Sequence, residues 1–112
     1  MVIIFSDRKL GKVVNDHRRL VRGYGDRQAE LIRRRLDELR AADNLEVLRY
    51  LPQARCHELS SDRAGQLSVD LVHPYRLIFA PNHDPIPLRP DGGLDWSKVI
   101  AVDILAVEDT HG

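Results

Sequence analysis

Gln66-Leu67-Ser68-Val69-Asp70-Leu71 alternates polar and apolar residues with a period of two, and Tyr75-Arg76-Leu77-Ile78-Phe79 follows across His73-Pro74. Strict alternation is the pattern of a strand with one wet face. Two such runs around a proline turn predict an antiparallel hairpin with His73-Pro74 at its tip. Downstream, Val99 to Val107 is mostly apolar and reads as a central strand buried on both sides. Pro81, Pro85, Pro87 and Pro90, then Asp91-Gly92-Gly93, mark a long irregular excursion before it. Upstream, Arg55 to Leu59 reads as a strand opening the meander.

Before Pro52 the period is helical. Leu10, Val13, Val14, His17, Leu20 and Val21 share one face, with Asp7 as N-cap and His17 at the core edge. Gly23-Tyr24-Gly25 ends this helix, and Asp26 is placed to cap a second. The second helix has an apolar set of Ala29, Leu31, Ile32, Leu36 and Leu39. Arg33, Arg34 and Arg35 begin on its other side, and the helix fades near Asp43-Asn44. Val2 to Phe5 is a short β-branched run and reads as a first strand. The order is β-α-α-β-β-β, with room for one further strand. It predicts a single α+β domain over residues 1–112, a two-helix hairpin packed on a small, mostly antiparallel sheet.

The chain has 112 residues, 43% apolar and 30% charged, which is the composition of a folded domain rather than a disordered segment. No apolar run approaches the ~18 residues of a bilayer span, so no membrane partner is expected. The opening apolar run is too short for a signal peptide, and a cytoplasmic location is the expectation. One cysteine, Cys56, excludes an internal disulfide and a multi-cysteine zinc site. The histidines lack metal-ligand spacing, and there is no phosphate-binding glycine loop, so no cofactor is expected. The 17 basic and 17 acidic residues cancel, but unevenly. Residues 1–40 hold eleven Lys/Arg against six Asp/Glu, a net of +5, and the remainder carries −5. The first half therefore offers a basic face to an anionic partner.

An ordered set of residues carries a family resemblance. Arg33-Arg34-Arg35-Leu36-Asp37-Glu38-Leu39 leads to Leu51-Pro52 and then to Arg55-Cys56-His57-Glu58-Leu59. Asp62-Arg63-Ala64-Gly65-Gln66, Pro74-Tyr75-Arg76-Leu77-Ile78-Phe79 and Glu108-Asp109-Thr110-His111 follow. The chain resembles the HigB branch of the RelE/ParE toxin superfamily, the plasmid-maintenance killer proteins, over about residues 2–111. The resemblance implies a RelE-like fold, a helical hairpin on a small sheet. It implies messenger RNA cleavage, usually at the ribosome, by the toxin of a type II toxin–antitoxin pair. It also implies a HigA-like antitoxin partner, with operator DNA engaged only through the complex.

Metal-independent RNA cleavage needs a base for the 2′-OH, an acid for the leaving 5′-oxygen and cations on the phosphate. The resemblance assigns His57, Asp109 and His111 to proton chemistry and Arg76 and Arg63 to phosphate. From the residues alone, His57 also reads as a sheet-surface histidine, and Asp109 and His111 as a polar tail. Arg76 interrupts an apolar strand, where a charge needs a partner or a task; Asp70 across the hairpin is the structural partner available. Arg63 lies in a turn. Arg33 and Arg34 are candidates for ribosomal RNA, or a solvated helix face whose charge Asp37 and Glu38 offset at i, i+4. Trp96 reads as packing, and Cys56 as a buried structural thiol. Thr110 stands where the family commonly has Tyr, and the chain is neutral where such toxins are basic. These departures support an alternative, a lapsed toxin fold that binds antitoxin or operator DNA. The Asp-x-His ending argues against the gyrase-poisoning branch.

Overall fold

The computed structural model describes residues 1–109. Its described residues form an α+β domain with a five-stranded mixed sheet, and the helical part departs from expectation at one joint. Asn15 closes α1 (Arg8–Val14), which Asp7 caps by accepting from the Leu10 N–H. Asp16 then accepts from the amides of Arg18 and Arg19 and starts α2 (His17–Tyr24). The single helix expected over this stretch is thus two, because a side chain that caps a new helix competes with continuing the old one. The break turns His17 outward, so it is exposed rather than at the core edge.

Gly25 adopts φ 81° and ψ 165°, a region open essentially to glycine alone, and joins α2 to α3 (Asp26–Ala41). Gly25 therefore occupies the N-cap position expected for Asp26, which becomes the first helical residue and meets the positive end of the helix dipole. Ala29, Ile32, Leu36 and Leu39 are buried as predicted. Arg35 is buried with them, contrary to its expected place on the polar side. Its Nε donates to the Asp70 carbonyl (2.7 Å), and its terminal nitrogens donate to Glu38 (3.1 Å) and the Gln53 carbonyl (2.9 Å). Gln28 accepts from the Val72 N–H. Together these bonds fix α3 to the turn end of the predicted hairpin.

The strands are β1 (Val2–Ile4), β2 (His57–Glu58), β3 (Leu67–Asp70), β4 (Tyr75–Pro81) and β5 (Ala101–Asp109). Their order is β1-β5-β4-β3-β2, with β1 parallel to β5 and every other pair antiparallel. The strand predicted from Val99–Val107 as central and buried on both sides is β5; it lies beside the central β4 and is fully buried only at Val102 and Ile104, because its other face carries the half-exposed polar row, and the strand predicted from Arg55–Leu59 is the two-residue edge β2. Leu67, Val69, Leu77, Phe79, Val102 and Ile104 meet the helices in the main core. The other face carries two cross-strand rows: Ser68, Ile78 and Ala106, then Asp70, Arg76 and Glu108. Ser68 and Ile78 are buried as well. The predicted wet face is therefore partly covered, because Arg63 in the β2–β3 connection reaches across to Glu108 on β5.

The proline-rich excursion contains order that its composition hides. Leu88 and Leu94 form an antiparallel bridge. The Arg89 N–H donates to the Gly93 carbonyl (2.7 Å), and Gly92 turns the chain at φ 89°. Trp96 follows in a 3-10 turn, Trp96–Lys98, and packs into the core as expected. Its Nε1–H donates to Glu58 (3.0 Å), and the Arg49 guanidinium stacks 3.8 Å from its ring.

Candidate functional site

The sheet face opposite the helices gathers the polar chemistry. His57 stands opposite Ser68 on the neighbouring strand, so both project to this face. Arg55 precedes it at φ 44°, a strained left-handed conformation for a non-glycine residue. Its carbonyl accepts from His57 Nδ1–H (2.9 Å). In a neutral ring this bond puts the proton on Nδ1 and leaves the lone pair on Nε2. An Arg76 terminal nitrogen lies 3.2 Å from Nε2. The guanidinium Nε of Arg76 is 3.6 Å from the Asp70 carboxylate, which also meets Arg55 at 3.4 Å. Two guanidiniums thus converge on one carboxylate beside a histidine whose basic nitrogen is oriented. A small cleft at the hairpin end, lined by Arg55, Asp70, His73, Tyr75 and Arg76 among others, opens onto this group.

Arg63 forms a two-point ion pair with Glu108, 2.9 and 2.8 Å. The hydrogen bonds from Arg63 hold the Glu108 carboxyl below its usual range. Asp109 ends β5 opposite Tyr75, next to the Arg76–Glu108 pair. His111 lies outside the described residues, as does Thr110. The structure brings His57, Arg76 and Arg63 to one face of the sheet, but Asp109, next after Glu108 on β5 and paired with Tyr75, projects to the other face, because successive strand residues alternate.

No family model matches the chain, and neither does any curated protein or solved structure.

Arg33 and Arg34 stand apart from that face, exposed on α3 in the helical layer. Arg34 pairs with Glu30 (2.9 Å) and Arg33 approaches His17 (3.4 Å), so the expected i, i+4 partners Asp37 and Glu38 serve Arg40 and Arg35 instead. Among the described residues, no three His, Cys, Asp or Glu side chains converge as a metal ion requires. None of their helices is long and apolar enough to cross a membrane. Cys56 faces away from His57 on the sheet, and burial pushes its thiol up to about 12, far from a nucleophilic thiolate. Sequence reasoning missed Arg55 and His73, which enter the site through the turn geometry on either side of β2 and β3. The alternation that places Asp70 and Arg76 on one face was the available signal.

Proposed function

We propose that this chain is an RNA-cleaving toxin with a RelE-like fold, of the HigB type. The observation that carries the reading is the His57–Arg76 contact beside Arg55, a base and two phosphate-binding cations on one polar sheet face. An RNA phosphate that displaces the Asp70 carboxylate meets both guanidiniums, which grip its non-bridging oxygens. Arg76 then leaves the His57 lone pair, and Nε2 is free to take the 2′-OH proton. The 2′-oxygen forms the new bond to phosphorus as the bond to the 5′-oxygen breaks. The products are a 2′,3′-cyclic phosphate and a 5′-hydroxyl, the latter protonated by an acid that the resemblance assigns to the Asp109–His111 end of the chain. The ribosome and a HigA-like antitoxin are the partners this reading entails.

The test is primer extension on a defined messenger RNA in a translating extract, with wild type, His57→Ala, Arg76→Lys and His111→Ala. Wild type cuts within the reading frame, and His57→Ala loses about 10²–10⁴-fold, the usual contribution of a general base. Full activity in His57→Ala refutes the assignment. No cutting by folded wild type refutes the ribonuclease reading. That outcome favours the lapsed binding module, a second reading supported by the acids that already occupy Arg63 and Arg76.

A further inference from the structure

We propose that the cleft between the Leu88–Leu94 hairpin and the sheet is a binding pocket for a guanine base. The proposal rests on the ribonuclease reading only for the source of the base. The cleft encloses about 360 Å³, and Leu67, Ala80, Pro81, Ile86, Leu88 and Leu94 make its walls largely apolar. Small-ligand sites have this size, with apolar walls and a few placed polar groups. Ile86 and Leu88 are 40% and 57% exposed at its mouth, so two large apolar side chains face solvent where a flat ring would cover them.

One polar side chain lines this cleft, Glu58. Its Oε2 accepts from Trp96 Nε1–H, which fixes the carboxylate and leaves Oε1 for a ligand. A carboxylate only accepts hydrogen bonds. Guanine is the base whose N1–H and N2–H groups lie side by side on one edge. Adenine, cytosine and uracil each set an acceptor on the corresponding edge, which a carboxylate repels. Arg89, whose guanidinium lies 2.5 Å from where a Gly93 Cβ would stand, pairs with Asp91 at 3.4 Å and does not line the cleft, so Glu58 sets its charge. Glu58 follows His57 directly in β2, and the two side chains point to opposite faces of the sheet. β2 is an edge strand. A nucleotide passing around this edge offers its base to Glu58 and a phosphate to Arg76.

The test is amide chemical-shift titration of the full chain with GMP, AMP, CMP, UMP and arginine amide. GMP is expected to shift Gly65, Gly92, Gly93 and Leu94, and to bind at least tenfold more tightly than the other nucleotides. Glu58→Gln retains an acceptor for Trp96 but weakens GMP about tenfold; Leu88→Arg obstructs the mouth and weakens it independently. Equal shifts from all four nucleotides, or tighter binding of arginine amide, overturn the proposal. Mapping the cuts separates the two readings. Cuts without guanine preference, with no GMP shifts, refute the pocket and leave the ribonuclease standing. GMP binding at these amides without any RNA cleavage does the reverse.

Discussion

Replacing Arg35 with Met removes a buried charge while keeping most of the side-chain bulk. Arg35 is 5% exposed and donates to the Asp70 carbonyl, the Gln53 carbonyl and Glu38 at 2.7, 2.9 and 3.1 Å. The variant strips these donors from two backbone carbonyls and from a Glu38 side chain that is itself 16% exposed. Glu38 keeps one partner, the Gln53 side-chain amide. Each hydrogen bond to a charged group is worth about 1.5–3 kcal/mol, and the values do not add. Breaking a buried ion pair by removing one member costs about 3–5 kcal/mol, which we take as the expected loss. For a chain of this length that lowers the midpoint of thermal unfolding by roughly 12–20 °C. Urea denaturation followed by circular dichroism measures it, and Arg35→Lys should recover part of the loss because it keeps the charge without the planar fork. A loss below about 1 kcal/mol for Arg35→Met would refute the reasoning, since the three contacts would then contribute nothing net. The effect reaches the site, because the same bonds hold the Asp70 backbone that presents its carboxylate to Arg55 and Arg76.

Further outcomes follow from other contacts. Gly25→Ala should cost about 1–3 kcal/mol, because φ 81° with ψ 165° excludes a Cβ even though nothing crowds it; an unchanged denaturation midpoint would contradict this. Glu108 has a depressed folded pKa, so its stabilisation is present above the unfolded value of about 4.3 and is lost as pH falls through the folded one. The stability gap between wild type and Glu108→Gln should therefore hold above about pH 5 and close on acidification, and salt should narrow it. A gap that widens in acid would rule out the Arg63–Glu108 pair as its cause. Cys56, with its thiol pushed up to about 12, should resist iodoacetamide at pH 8 in the native protein and react on unfolding, as read by mass spectrometry.

Periodicity located the strands and α3, while it ran α1 and α2 together. The alternation from Gln66 to Leu71 specified β3, the apolar run from Val99 specified β5 though not its one-sided burial, and the spacing of Ala29, Ile32, Leu36 and Leu39 specified α3. These signals are local, because a strand or helix repeats its environment every two or 3.6 residues. The same alternation put Asp70 and Arg76 on one face before any contact was known. What periodicity could not supply was competition and partnership between distant segments. Asp16 ends one helix by capping the next, and its outcome depends on which amides it reaches. Arg35 lies in a run of three arginines whose sequence favours a solvated face, yet carbonyls from Gln53 and Asp70 arrive to receive it. The burial of Ser68 depends on the face that Arg63 crosses to meet Glu108, 45 residues away. The orientation of His57 depends on a strained Arg55 carbonyl and on an arginine from another strand. Local repeats thus determined the strands, α3 and most of the residues that share a face. Only the tertiary structure decided which charges are buried, paired or poised, because electrostatic partners are chosen in space and leave no period in the chain.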